Sequence, residues 1–147
     1  PTWADGTPLR VILRPRNDAD TVILGRFFPG MDAAIERARR RPDIQTAGTD
    51  QDNATLAEGL PGSLTGPAYT QIKLESRRLR LVAIDGVEPT FENFERGIYP
   101  YGRTMYFVLP AKPSSAAERL LAFVRSSEGV AALRTTGNLP IAIDEPR

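Results

Sequence analysis

Leu9-Arg10-Val11-Ile12-Leu13 is a short apolar run carrying one charge. It leads straight into Arg14-Pro15-Arg16-Asn17-Asp18-Ala19-Asp20-Thr21, after which apolar residues return at Val22-Ile23-Leu24. A run of this kind is the pattern of a strand covered on both faces, and the Asn, Asp and Thr cluster behind it supplies helix caps. Strand, polar loop and helix are therefore the expected order, and they commit the chain to an α/β fold. A helix opening at a strand end turns its unpaired N–H groups and the positive end of its dipole toward the crevice where open α/β sheets place ligands. Arg14 and Arg16 stand in that loop. Their guanidinium geometry suits a bidentate grip on an oxyanion. The simpler alternative is that Asp18 or Asp20 caps the helix and both arginines are solvated strand-end residues.

The chain has no Cys and no His. That removes thiolate and imidazole metal sites, Cys nucleophiles, disulfides and every triad that uses a histidine base. No catalytic residue, metal site or cofactor is expected. Lys and Arg number 19 against 18 Asp and Glu, so no global field argues for nucleic acid, and partners have to be argued locally. No apolar run approaches membrane-spanning length. The opening residue is Pro1, which points to a processed chain or an excised piece.

Pro1 to Pro8 reads as an entry loop, with Trp3 as an anchor and Asp5-Gly6 as a turn. Phe27-Phe28-Pro29-Gly30 breaks the first helix, and Met31 to Arg41 resumes as a second, with Met31, Ala34, Ile35 and Ala38 at helical spacing. Arg37, Arg39, Arg40 and Arg41 crowd its end, as a basic patch for a polyanion or as a solvated helix end. A brief strand is expected within 43–46. A helix over about 53–58 follows, capped by Thr49, Asp50 or Asp52, and a glycine-rich turn at 60–66 returns the chain to the sheet. Residues 69–75 are ambiguous. Alternation over Leu79 to Ile84 predicts a strand closed by Asp85-Gly86, and Thr104 to Leu109 predicts an aromatic and β-branched strand. Between them Pro89 to Gly97 reads as a short capped helix. Ser115-Ala116-Ala117-Glu118 has the form of a capping box, opening a helix with Ala117, Leu120, Leu121 and Val124 on one face. A second helix is expected from Val130 to about Thr135, then a strand or extended tail over 138–143.

This order of motifs resembles the later part of the phosphate-binding proteins of ABC importers, in the type II periplasmic binding protein superfamily. The resemblance is carried by Arg14 to Thr21, by Asp52-Asn53 entering a helix that leads to Leu60-Pro61-Gly62-Ser63-Leu64, and by Asp85-Gly86-Val87-Glu88-Pro89-Thr90. It continues through Tyr99-Pro100, Tyr106-Phe107-Val108, Phe123 to Gly129 and Gly137-Asn138-Leu139-Pro140. It implies one complete lobe, 1–97, and the returning C-terminal segment of the other lobe, 98–147. In that family the second lobe holds its anion with an arginine and a Ser-Gly-Thr run at a helix N-terminus. The matching run here is Ala19-Asp20-Thr21, which keeps the threonine, lacks the serine hydroxyl and adds a carboxylate. The segment that would precede this one in the family is absent, which predicts an exposed apolar face and self-association or a partner chain.

The resulting expectation is a non-catalytic solute-binding component for ABC-type uptake, taking a small oxyanion, phosphate first. Arg14, Arg16, Asp20 and Thr21 are its ligand-binding residues, with Asp52, Asn53 and Ser63 as weaker candidates. Its partner is the membrane component of the transporter, and its location is periplasmic or extracellular, both from the resemblance. The alternative is a sensor or protein-interaction domain that keeps the fold with a lost or altered ligand site, using Tyr99, Tyr101 and Tyr106 as surface. An enzyme ranks third: Asp18 with Asp20, or Asp50 with Asp52, form carboxylate pairs that suit acid–base work or a hard cation, but also caps and Asx turns.

Overall fold

In the computed structural model, which describes residues 1–141, Leu13 ends the central strand of a three-stranded parallel sheet and Arg14 follows it. The strands are β1 (Arg10–Leu13), β2 (Gln45–Thr46) and β3 (Ser63–Leu64), in the order β2-β1-β3. Register is set by Ile12 opposite Gln45 and Leu13 opposite Thr46 on one side, and by Arg10 opposite Ser63 and Val11 opposite Leu64 on the other. Helices α1 (Ala19–Phe27) and α2 (Met31–Arg39) connect β1 to β2. Helix α3 (Asp50–Gly59) connects β2 to β3, and α4 (Tyr69–Leu74) follows. The chain is thus mixed α/β with a parallel sheet whose connections are helical, as parallel pairing requires. No described helix is long and apolar enough to cross a membrane.

The core forms where β1 meets α3. Ile12, Ala47 and Ala57 are buried together, with Leu56, Leu60 and Leu79 packed against them. Small residues on α3 let the helix lie close to the sheet, since Ala54 and Ala57 are buried on that face. The entry loop is tied to this unit. Trp3 donates its indole N–H to the Gly62 carbonyl at 2.9 Å, and the same carbonyl accepts the Arg10 amide at 2.9 Å. Gly62 has φ +75, and a Cβ there would stand 2.2 Å from the Pro8 carbonyl oxygen, so only glycine lets the loop close.

Compact units lie at 1–80 and 81–147, a division earlier in the chain than the 97/98 boundary expected from the sequence. Side chains and backbone at both borders explain the place. The Arg78 amide donates to Glu58 on α3 and Leu79 packs on the first core, whereas Arg134 pairs with Glu95 and lies over the Phe91 ring at 5.1 Å. Helix α5 (Phe91–Glu95) thereby belongs with α6 (Ser115–Arg125) and α7 (Ser127–Thr135). Ser126 ends α6 and caps α7, its hydroxyl accepting the Gly129 amide at 3.1 Å, and Gly129 is the close-approach point because a Cβ there would meet the Phe123 carbonyl at 2.1 Å.

Several expectations are corrected. Leu79 to Ile84 and Thr104 to Leu109 form no strands: around the first only an isolated bridge joins Ile84 to Val87, and no described strand pairs with the second. Both segments hold residue types that favour strand, but a strand needs a neighbour to take its N–H and C=O groups. Met105 is 71% exposed and Val108 88%. The cap of α6 is Ser114, one residue before the expected box, and Leu120 is exposed instead of lying on the inner face. Helices α3 and α7 start earlier than expected, at Asp50 and Ser127. Residues 138–141 carry no strand, and 142–143 lie outside the described residues.

Replacing Gly62 with Ala is expected to lower the unfolding free energy of the first unit by about 1–3 kcal/mol. Urea denaturation followed by the emission of Trp3, the one tryptophan, reads it directly; an unchanged midpoint would contradict the close approach. A second prediction concerns Glu58. The Arg78 amide and the Arg77 guanidinium hold its carboxyl below the ordinary glutamate value. A lowered folded-state value contributes stability that is present above the unfolded value and is lost as pH falls through the folded one. Stability should therefore decline below about pH 4.3, the ordinary glutamate value, and Glu58→Gln should flatten that decline. Parallel curves for the two proteins would remove Glu58 as a source.

Candidate functional site

The carboxyl ends of parallel strands carry the polar loops, and here Arg14 is the first residue beyond β1. Its side chain is 10% exposed. Nη1 donates to the Ala47 carbonyl, just beyond β2, at 3.0 Å. Nη2 lies 2.8 Å from Asp18 Oδ2 and 3.0 Å from Asp50 Oδ1. The remaining nitrogen, Nε, is buried without a hydrogen-bond partner. Arg39 on α2 closes the underside, donating from Nη2 to the Arg14 carbonyl at 2.6 Å.

Asp18 has two tasks. Its Oδ1 accepts the Asp20 amide at 2.9 Å and so caps α1, while Oδ2 meets Arg14. Thr21, in the first turn, donates its hydroxyl to the Pro15 carbonyl at 3.0 Å, which tightens the loop that carries Arg14 into the helix. Asp20 is half-buried in the same turn. Thr49 caps α3 by accepting the Asp52 amide at 3.1 Å, which leaves Asp50, the first helical residue, to reach Arg14. The N-termini of α1 and α3 therefore converge on one guanidinium.

The other candidate residues separate. Arg16 is exposed and pairs with Glu36 of α2 at 2.8 Å, away from the Arg14 partners. With Thr21, Val22, Asp32 and Ile35 it lines an open groove of about 420 Å³ on α1 and α2. Gly25 belongs to that groove because a Cβ there would meet the Asp32 carboxylate at 2.1 Å. Asp52 is exposed in the same first turn of α3 and is not among the partners of Arg14. Asn53 is fully buried: its Oδ1 accepts from the Thr65 hydroxyl at 2.6 Å, a hydroxyl that also lies 3.1 Å from the Ile12 carbonyl, and its Nδ2 has no partner. Ser63 opens β3 opposite Arg10, at the far end of β1 from Arg14, and donates to the Ala57 carbonyl at 2.8 Å.

Sequence reasoning missed Asp50 as an arginine partner, the Ala47 carbonyl, Arg39 as the support beneath Arg14, and Thr65. Asp50 was visible as a possible cap and as one of a carboxylate pair with Asp52, and Arg39 only within a basic crowd. Of that crowd Arg39 is 12% exposed and engaged, and Arg41 pairs with Asp43. In the second unit Tyr99 and Tyr101 meet edge to face at 5.1 Å, and burial pushes the Tyr99 hydroxyl up from its ordinary pKa. Tyr106 is exposed. Among the described residues no group of three or more acidic side chains converges as a metal-ion site.

In comparisons with protein-family models, curated proteins and solved structures, nothing matches this chain.

Asp18→Ala removes a cap and one of two carboxylates from a buried guanidinium, and should cost about 2 kcal/mol or more. Asp18→Asn retains the cap and should cost less. In urea denaturation, an undiminished stability of Asp18→Asn would mean that the charged Arg14 contact contributes nothing, and equal losses for the two variants would mean that the cap contributes nothing.

Proposed function

We propose that the 1–80 unit binds a small oxyanion without chemistry on it, with Arg14 as the recognising group. The observation that carries this reading is that Arg14, nine-tenths buried at the carboxyl edge of a parallel sheet, already holds two carboxylates on Nη2. A guanidinium held in place through Nη1 by the Ala47 carbonyl, and donating from Nη2 to carboxylate oxygens, makes the charge-assisted hydrogen bonds with which arginine also binds oxyanions. The flanking helix ends favour negative charge. Asp18, Asp20, Asp50 and Asp52 nearby disfavour a fully ionised phosphate, whereas a monobasic anion keeps a proton to donate. Phosphate in its monobasic form is accordingly the first ligand to test. Asp20 is the acceptor this reading assigns to that proton, and Thr21 supports the loop. Asn53 and Ser63 serve packing in it, and Arg16 serves the groove between α1 and α2.

The wider reading takes the parallel unit as one lobe of a periplasmic-binding-protein-like fold and the rest as the returning segment of the other. ABC-type uptake, a membrane transporter component as partner, and a periplasmic or extracellular location follow from that resemblance. A second reading, an interaction domain with an altered site, is favoured by the exposed apolar run Met105, Tyr106, Phe107 and Val108, which invites a partner chain or self-association.

Isothermal calorimetry with phosphate, sulfate and molybdate separates the two. Binding by the native chain, weakened about tenfold or more in Arg14→Lys and by less than about threefold in Arg16→Ala, is expected, because lysine keeps the charge and loses the fork. Absence of heat with every anion, from folded protein, would overturn the oxyanion reading and favour the interaction domain; sedimentation then reads self-association.

A further inference from the structure

The two carboxylates on Arg14 are held unequally. Asp18 is 20% exposed and is fixed twice, by the Asp20 amide on Oδ1 and by Arg14 on Oδ2. Asp50 is 43% exposed, and its contact with Arg14 is a single oxygen at 3.0 Å. Its backbone place does not depend on that contact, because Thr49 caps the helix in which it stands. Arg14 in turn does not depend on Asp50 for position: the Ala47 carbonyl holds Nη1 and Asp18 holds Nη2. Release of Asp50 would therefore free one donor direction of Nη2 while Asp18 and the Ala47 carbonyl keep the guanidinium in place, and would leave the helix start capped.

We propose, resting on the oxyanion reading above, that Asp50 is the group an incoming oxyanion displaces from Arg14. Its carboxylate is a tethered competitor and an affinity-determining residue of the site. The exchange is of like for like. One oxyanion oxygen leaves Nη2 and another takes its place, so the guanidinium stays paired throughout and no buried charge is stranded. The released side chain enters water, which its partial exposure already permits. Competition of this kind lowers apparent affinity by the fraction of molecules in which Asp50 holds the seat. A merely structural Asp50 would behave oppositely, since its loss would loosen Arg14 and weaken binding.

The test is calorimetry of the 147-residue chain against inorganic phosphate, comparing native protein with Asp50→Asn and Asp52→Asn. Asp52 lies on the same turn of α3 and is not among the partners of Arg14, so its variant removes an equal formal charge without freeing the fork. Asp50→Asn should bind about three- to tenfold more tightly, and Asp52→Asn should change affinity by less than about twofold. Native binding with Asp50→Asn equal or weaker overturns the proposal and leaves the oxyanion reading standing, and equal gains in both variants reduce it to general repulsion. No binding by any of the three overturns both. Trp3 emission during thermal melting verifies folding, and Asp50→Ser, which also suits a first helical turn, repeats the test if Asp50→Asn fails to fold.

Discussion

A guanidinium nine-tenths buried at a strand end is costly unless its charge is matched and its N–H groups are met, and the first unit is arranged around meeting that demand for Arg14. Four elements contribute. The loop entering α1 supplies Asp18, α3 supplies Asp50, the residue beyond β2 supplies the Ala47 carbonyl, and α2 sends Arg39 to the Arg14 backbone. The net worth of such a set against an apolar core is small, but removing one member leaves a charge without compensation, a loss on the order of 3–5 kcal/mol for a buried pair.

That structural task and the proposed recognition use the same geometry. A fork that holds carboxylates within the protein presents to a solute the donors it presents to Asp18 and Asp50. The difference lies in how firmly each carboxylate is retained, and this is set by local caps. Asp18 is itself the cap of α1; Asp50 stands behind a cap supplied by Thr49. Arg16, two positions further along, leaves this system entirely, because the loop turns its side chain to Glu36 on α2. Two arginines that look equivalent in the sequence therefore have separate surroundings.

The legible parts of the chain are those whose backbone groups are satisfied within a few residues. Asp18, Thr49, Thr90 and Ser126 cap helices as their residue types dictate, and the break at Phe28 to Gly30 separates α1 from α2. Ser63-Leu64 was read as part of a turn over 60–66 and forms β3 instead, because pairing with Arg10 and Val11 of β1 is a long-range contact. Thr104 to Leu109 was misread for the opposite reason. Its β-branched and aromatic residues prefer extended backbone, but pairing is supplied by another segment, and none of the described residues provides one. Leu79 to Ile84 differs again: Leu79 is retained by the first core while Leu81, Val82 and Ala83 are exposed, so the expected alternation does not appear in the burial.

By itself the sequence determined the α/β order of the first unit, the helix caps and breaks, and, through the lack of Cys and His, which chemistries are out of reach. It also marked Arg14 as a residue of interest at a strand end. Only the tertiary structure decided which carboxylates meet that arginine, that Arg16 and Ser63 stand apart from it, and that Asn53 is buried with Thr65. The physical reason is range. Caps and turns close hydrogen bonds over two to four residues and are written in local residue types, whereas Arg14 reaches a carbonyl 33 residues away and Thr65 a carbonyl 53 residues away. Contacts at that separation exist only after the strands have chosen their neighbours.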